Sequence, residues 1–159
     1  MGVGRLSVYS PISEAREGSK VSIVIKIDNT DPNPFNSELY RLTMHDASRD
    51  SPQYCWYYDR EGRLCSRSED PDRCYIWEGI VNAFFDETLT SSFTMPNFDV
   101  VLEFGLWRRS GTTWVKDDSA RLSVALLRPG FDVIKAALVV AAIGVTGYLM
   151  AQIAKLVKR

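Results

Sequence analysis

The stretch VSIVIKID, residues 21–28, alternates aliphatic side chains with side chains that are mostly polar. Its odd-numbered residues, from Val21 to Ile27, share one face of an extended chain, because successive side chains of a strand point to opposite faces. This period of two predicts a strand with one buried face. The strand should end in DNTDPNP, residues 28–34, since prolines and Asn/Asp residues favour turns over a continued ladder.

The same alternation recurs between residues 5 and 127, with turn formers between the apolar runs. Residues 59–62 (Asp-Arg-Glu-Gly) and Gly111 suit hairpin tips. Seven or eight short strands without a soluble helix predict an all-β, antiparallel immunoglobulin-like β-sandwich, with a small closed barrel as the alternative. The later candidate strands cover residues 40–45, 54–58, 75–85, 89–95, 100–107, 114–115 and 122–126.

An uncharged segment of 19 residues, AALVVAAIGVTGYLMAQIA, fills residues 136–154 between Lys135 and Lys155. As a helix it would be roughly 28 Å long, close to the ~30 Å hydrocarbon core of a bilayer. We therefore expect one C-terminal transmembrane α-helix, with lysines that reach the headgroups and Tyr148 in an aromatic belt. The alternative is an Ala-rich helix in a soluble core, although an evenly apolar surface is not typical of one-sided packing.

These two signals predict the organisation of the chain. The β-sandwich occupies residues 1–128, a linker residues 129–135, the transmembrane helix residues 136–154 and a basic tail residues 155–159. The N-terminus has no apolar region of the length that a signal peptide needs. Either the domain remains on the side of the membrane where it is made, or the C-terminal helix directs its translocation.

Small residues recur along one face of the predicted helix at spacings of three and four. Small side chains let helix backbones approach closely in lipid, where packing drives association. We therefore expect this face to pack against another helix, unless it reflects only the ordinary abundance of Ala and Gly in membrane helices. The face consists of Ala137, Val140, Gly144, Gly147, Ala151 and Ala154.

Two strand-end patterns point to a known class of domain. The early strand closes in Ile-Asp-Asn-Thr (residues 27–30), and Ser-Ser-Phe-Thr-Met-Pro (residues 91–96) is followed by Asp99-Val100 and later by Trp114. These patterns resemble immunoglobulin-like and CARDB-type modules of archaeal and bacterial surface proteins and of virion structural proteins. The resemblance covers about a third of the chain and implies a β-sandwich fold. It implies no binding residues.

Composition and motifs argue against enzyme chemistry. His45 is the only histidine, and no nucleophile motif accompanies it. No Gly-rich turn between a strand and a helix is present to cradle a nucleotide. The net charge of −1 gives no concentrated basic surface for nucleic acid. We therefore expect no catalytic residue, cofactor, metal or nucleic-acid partner.

Cys55, Cys65 and Cys74 lie ten and nine residues apart. A disulfide within this region is one interpretation, because Cys55 and Cys65 flank a candidate hairpin and Cys74 follows closely. Three buried thiols in a reducing compartment are the other interpretation, and the wide spacing argues against a zinc site. The mixed charges of residues 60–73 indicate a solvated loop more than a calcium loop, since arginines interrupt the acidic residues.

The aromatic run at residues 54–58 exceeds what one buried face needs. Strand alternation would place Tyr54, Trp56 and Tyr58 on the core face and Tyr57 on the other. Aromatic side chains with a polar rim are typical of interface centres. Tyr57 is therefore the candidate interface residue, the alternative being a wide core that covers both faces.

These features favour a non-catalytic, membrane-anchored structural or interaction protein. Its expected partners are the lipid bilayer and either other proteins or copies of itself, in a larger assembly such as a membrane-containing virion or a surface layer. The location expected is a membrane, crossed once by the C-terminal anchor, with a virion membrane as one case. The alternatives are a monomeric cell-surface adhesion or ligand-binding module and an accessory subunit of a membrane enzyme complex.

Overall fold

The computed structural model describes residues 3–49 and 55–128. The predicted linker from residue 129 onward, the transmembrane helix 136–154 with its small-residue face, and the tail 155–159 lie outside these residues, as does Tyr54. Within the described ranges there is no helix long and apolar enough to cross a membrane. The first compact unit of the chain ends at Leu126.

The described residues form ten β-strands, two or three more than the sequence predicts. Three of the ten have no counterpart among the predicted strands: one of six residues near the N-terminus, and two of only two or three residues, which are too short to give an alternating pattern. The strands are β1 (Gly4–Tyr9), β2 (Glu14–Ala15), β3 (Lys20–Asn29), β4 (Ser37–Asp46), β5 (Tyr57–Tyr58), β6 (Leu64–Ser66), β7 (Trp77–Asn82), β8 (Asp86–Thr94), β9 (Val100–Ser110) and β10 (Thr113–Leu126).

Two sheets of unequal width pack face to face. The smaller sheet has the order β1-β3-β8, and the larger has the order β2-β10-β9-β4-β5-β6, with β7 also pairing with β4. All neighbours are antiparallel except β2, which pairs in parallel with the end of β10. The chain therefore passes from the smaller sheet to the larger one between β1 and β2, and the architecture is an immunoglobulin-like β-sandwich.

The core lies where the alternating pattern predicts it. The odd-numbered residues of β3 from Val21 to Ile27 are each at most 4% exposed. They face the apolar sides of β4, β9 and β10, which are the opposite layer of one hydrophobic cluster. Buried residues of that layer include Tyr40, Leu42, Leu102, Phe104, Leu106, Leu122 and Val124.

A bulge in β10 fastens the edge of the smaller sheet to the larger one. The register with β9 shifts between Lys116 and Asp118, so the pattern at 114–115 and that at 122–126 belong to one bulged strand. Asp117 and Asp118 turn their carboxylates to β1, where they accept hydrogen bonds from the backbone N–H groups of Gly4 and Leu6, each at 2.9 Å. These two side chains replace the strand that would otherwise pair with β1.

The Asp117 side chain is fully buried and also accepts a hydrogen bond from Arg108 Nε at 3.0 Å. Tyr40 lies beside this pair, fully buried, and its hydroxyl has no hydrogen-bond partner among the described residues. Burial, together with the negative charges of Asp117 and Glu38, raises the pKa of Tyr40. The phenol is therefore neutral and unsatisfied within the core.

Tyr40→Phe is expected to leave the fold intact and to raise its free energy of unfolding by about 1 kcal/mol. The substitution removes a buried hydroxyl that makes no hydrogen bond and keeps the packed ring. Urea unfolding of the two proteins measures the difference. A decrease of more than about 1 kcal/mol in the free energy of unfolding would contradict the interpretation that the hydroxyl is unsatisfied. It would mean that the hydroxyl makes a hydrogen bond in solution, for example to a buried water.

Candidate functional site

The segment between β6 and β7 lies against the outer face of the larger sheet. A disulfide joins Cys65 at its start to Cys74 at its end, which is 1% exposed. Cys55 takes no part in this bond; it is half-buried, and its Sγ donates a hydrogen bond to the carbonyl of Arg49 at 3.1 Å. The disulfide therefore closes a short loop, residues 66–73, which we call the outer loop.

Glu69 anchors the outer loop to the sheet. Its Oε1 accepts hydrogen bonds from Thr43 Oγ1 at 2.8 Å and Trp107 Nε1 at 3.0 Å, and its Oε2 accepts one from Lys116 Nζ at 2.7 Å. Gly105 lies beneath, and a Cβ there would overlap both the Glu69 carboxylate and the Thr43 hydroxyl. A residue without a side chain is therefore required for this contact. The charged run at residues 60–73 is thus only partly a solvated loop.

Arg41 forms the second anchor of the outer loop. Its guanidinium lies between the rings of Tyr75 and Trp114, at 4.1 and 4.4 Å from their centroids. It pairs with Glu78 and donates to the backbone carbonyl of Pro71 at 2.8 Å. A planar cation between two aromatic faces gives both electrostatic attraction and packing, which fixes this end of the loop.

The environment of Glu69 favours its charged form. Burial opposes ionisation, but the hydrogen bonds from Lys116, Thr43 and Trp107 outweigh burial and lower the pKa of Glu69. A pKa that is lower in the folded than in the unfolded state stabilises the fold at pH above the ordinary glutamate range. That contribution is lost as the pH falls through the folded-state pKa.

Glu69→Gln is expected to cost about 1–2 kcal/mol at neutral pH, because charge-assisted hydrogen bonds become neutral ones. The melting temperature of the variant should also depend less on pH between about 6 and about 3, where the native carboxylate takes up its proton. Thermal unfolding across this range measures both effects. Glu87→Gln, at an exposed position of β8, is the matched control. Parallel pH profiles for wild type and Glu69→Gln would exclude the anchoring role.

Tyr57, the candidate interface residue, lies on the outer face of the larger sheet, while Tyr58 lines a cavity between the sheets. The Tyr57 ring stacks on His45 with centroids 4.7 Å apart, and His45 Nδ1 lies 3.5 Å from Glu103. Burial, then the charges of Glu69 and Glu103, raise the pKa of Tyr57 to about 12. Tyr57 is therefore half-buried and neutral, and its interface role stays a prediction.

Trp56, expected on the core face, precedes β5 instead of lying within it and is only half-buried. The guanidinium of Arg67 lies 5.1 Å from its ring centroid. The aromatic run thus contributes only the two residues of β5 to the ladder. The expected strand at 54–58 is too long, because β4 offers β5 a single paired position, at His45.

Four apolar side chains that the sequence analysis did not single out are exposed at one end of the sandwich. They are Phe35 (92% exposed), Ile80 (68%), Phe84 (66%) and Phe85 (67%), and we call them the aromatic end. Ile80 lies near the end of β7. The loops that carry the phenylalanines adjoin, since Ala83 N donates to Asn36 O at 2.9 Å and Phe84 N to Asn29 O at 2.9 Å. Exposed apolar residues that lie together are typical of interaction surfaces. Sequence alone could not group them, because Phe35 is separated by more than 40 residues from the other three.

Side-chain hydrogen bonds hold the loop that carries Phe35. Asn29 Oδ1 accepts from Asp31 N at 3.0 Å, Asp31 Oδ1 from Asn33 N at 2.8 Å, and Asn33 Oδ1 from Phe35 N at 3.2 Å. Asn29 also donates to the carbonyl of Val81 at 2.8 Å, which ties this loop to β7. Such Asx turns fix the backbone locally. The phenylalanine is therefore presented from an ordered loop.

Backbone strain marks the second loop of the aromatic end. Phe84 has φ 65°, and it is the only non-glycine residue with positive φ in the described part of the chain. A bulky residue in this region is uncommon and costs about 1–3 kcal/mol, and such outliers cluster at functional positions. A strained backbone at an exposed residue supports a role for this loop beyond folding.

The aromatic end is opposite to the end where β10 stops. Leu126 pairs with Ala15, and the nearby residues Gly18 and Ser19 exchange hydrogen bonds with Met95. The opposite end of β3, at Asn29, pairs with Gly4 and carries the aromatic end. β3 has ten residues, so roughly 30 Å separates the two ends of the domain.

The described residues hold no group of three or more His, Cys, Asp or Glu side chains that could bind a metal ion. The contacts of His45, a tyrosine ring and a carboxylate, do not form a nucleophile and base pair. Beside them lies an open cavity of about 330 Å³, lined by residues that include Tyr57, Glu69, Glu103 and Lys116.

No protein-family model matches this chain, and no curated protein sequence matches it. Among solved structures it is similar to Spo0M, the sporulation control protein of Bacillus subtilis, with 10% identity, a TM-score of 0.48, and 80% of this chain matched to 51% of that one. A CARDB domain from Pyrococcus furiosus, crystallised with di-metal ions, is 12% identical with a TM-score of 0.42, over 79% of this chain and 90% of that domain.

A β-glucosidase from Listeria innocua is similar at 13% identity with a TM-score of 0.39, over 79% of this chain and only 16% of the enzyme. The chain thus spans about half the length of Spo0M and a small part of the glucosidase. The CARDB domain belongs to the class of module that the sequence patterns resemble. At such identities the likeness concerns the fold alone.

Proposed function

We propose that this chain is a non-catalytic structural or interaction protein, anchored to a membrane by its C-terminal segment, which contributes to a larger assembly such as a membrane-containing virion or a surface layer. The observation that carries the proposal is the aromatic end, which has three exposed phenylalanines. Phe35 lies on a loop held by Asx turns, and Phe84 and Phe85 lie in the turn between β7 and β8, whose backbone is hydrogen-bonded to Asn29 and Asn36. Aromatic side chains held rigidly at a surface lose little entropy on binding and are common at the centres of protein interfaces.

A protein partner suits the aromatic end better than a lipid surface. Residues 28–38 and 82–88, which carry the phenylalanines, contain no lysine or arginine but five carboxylates. Surfaces that bind anionic lipid combine apolar side chains with lysines and arginines. The aromatic end also lies roughly 30 Å from Leu126, after which the proposed anchor follows. This position suits contact with a partner beyond the membrane surface.

The Cys65–Cys74 disulfide bears on the side of the membrane that the domain occupies. Disulfides persist in oxidising compartments and on virion or cell surfaces and are rare in reducing cytosol. The bond therefore favours a domain on the oxidising side of the membrane over a cytosolic one.

Deletion of residues 132–159 is expected to give a domain that is soluble without detergent, folded and β-rich. The physical reason is that the described strands end at Leu126 and pack around a hydrophobic cluster of their own. Far-UV circular dichroism and sedimentation test this. The full chain, expressed in parallel, should sediment with membranes. A full chain that stays in the soluble fraction would contradict the anchor, and an unfolded truncated domain would place the tail in the core.

Phe35→Ser is expected to leave the free energy of unfolding within about 0.5 kcal/mol, since the side chain is 92% exposed. The particle formed by the full chain after solubilisation from its native membrane should become smaller, as measured by gel filtration with light scattering. Ile12→Ser, at an exposed isoleucine near the opposite end of the domain, is the matched control. Particles of equal size for both variants and wild type would exclude the aromatic end from the assembly.

A further inference from the structure

The smaller sheet ends at β8, and no other strand of the described residues pairs with the outer edge of β8. The larger sheet continues past β4 with β5, β6 and β7. The larger sheet therefore extends beyond the β8 edge of the smaller sheet. An uncovered edge strand of nine residues is a template for pairing with another chain, and natural proteins usually protect such edges with lysine, proline or a bulge. The β8 sequence, DETLTSSFT, contains no lysine or proline, and its pairing with β3 shows no bulge.

The backbone groups that β8 offers can be assigned from its register with β3. Asn29 N donates to Phe85 O at 3.1 Å, and Met95 N donates to Ser19 O at 2.8 Å, so odd-numbered residues bond to β3. In an antiparallel ladder the alternate residues direct N–H and C=O groups the other way. The outward groups therefore belong to the even-numbered residues, from Asp86 to Thr94.

An apolar groove runs along the core-facing side of this edge. Two cavities of about 380 and 490 Å³ share Ile23, Met44, Gly62 and Ser91 in their walls. Leu89 of β8 and the partly buried Ile76 and Trp77 line the smaller one. The even-numbered side chains of β8, which are threonine, serine and aspartate, are exposed on the opposite face. A strand laid along β8 would thus have one apolar and one polar side.

We propose that the β8 edge and this groove form a docking site for one extended segment of a partner protein, which would add a fourth strand to the smaller sheet. Main-chain hydrogen bonds to the even-numbered residues would supply affinity, and the groove would select apolar side chains at every second position. The larger sheet continues with β5, β6 and β7, and residues of the β5–β6 hairpin line the groove opposite β8. A second copy of the domain would bring its own larger sheet to this edge, so we assign the site to a single extended segment. This site adjoins the aromatic end, because β8 directly follows Phe85, but it rests on different observations: the unpaired backbone of β8 and the apolar groove beside it.

The charges at the edge indicate the direction of the segment. Asp86 and Glu87 lie at the start of β8. Lys26 on the neighbouring strand is 3.0 Å from Asp28 and 3.9 Å from Asp86, so one lysine faces two carboxylates and Glu87 adds a third negative charge. Antiparallel pairing is slightly the more stable arrangement. It would bring the C-terminal end of the segment to Asp86 and Glu87. We therefore expect an alternating apolar and polar segment with basic residues at its C-terminal end.

A synthetic peptide of alternating valine and threonine with two C-terminal lysines tests the site by fluorescence anisotropy with the full chain in detergent. Valines facing the groove lie opposite odd-numbered residues of β8, so the threonine N–H groups point at β8. N-methylation of the threonines should weaken binding by at least about tenfold, whereas N-methylation of the same number of valines should not. Equal binding of the two methylated peptides, or no binding of the parent at about 1 mM, would overturn the proposal.

The protein side of the test uses Thr90, whose N–H points away from β3. Thr90→Pro removes this donor without removing a hydrogen bond of the described sheet and should reduce peptide binding by at least about tenfold. Thr90→Ala keeps the donor and should bind as wild type does, with circular dichroism confirming that both variants are folded. Equal binding by the two variants would overturn the proposal. So would self-association of the full chain that Thr90→Pro abolishes, because it would assign the edge to a second copy.

Discussion

The burial of one face of β3 is the constraint on which the domain depends. Four aliphatic side chains on that face need an apolar layer opposite them, and β4, β9 and β10 provide it. The layer that includes β3 has three strands, whereas the opposite layer has seven. Much of what distinguishes this domain follows from this difference in width. Among the described residues, the smaller sheet has no further strand to pair with its edge strands, β1 and β8.

The two edge strands of the smaller sheet, β1 and β8, differ in what covers their outward backbone groups. At β1, Asp117 and Asp118 reach from a bulge in β10 and satisfy the backbone N–H groups of the edge. This arrangement buries the Asp117 carboxylate, and Arg108 compensates its charge at 3.0 Å. The β8 edge has no such cover among the described residues and lies beside an apolar groove. One edge is therefore closed by side chains, and the other retains its capacity to pair.

The outer face of the wide sheet is covered by polar contacts and a disulfide instead of a second apolar layer. Glu69 and Arg41 fix the outer loop at two points, and Cys65–Cys74 shortens it. Each of these two charged side chains interacts with several partners. These interactions hold the outer loop on the sheet, although the loop buries little apolar surface. The two surfaces that we propose for interaction, the aromatic end and the β8 edge, lie away from this loop.

The sequence by itself determined the β-sandwich, the core face of β3 and the turns at Gly62 and Gly111, both of which have positive φ. Period-two burial and the rarity of positive φ outside glycine are local properties, so a single stretch of chain records them. Only the tertiary structure selected Cys74 as the partner of Cys65, because spacing leaves connectivity open. It likewise gathered the aromatic end from separate loops and left β8 unpaired, since sheet order depends on long-range contacts that no local pattern encodes.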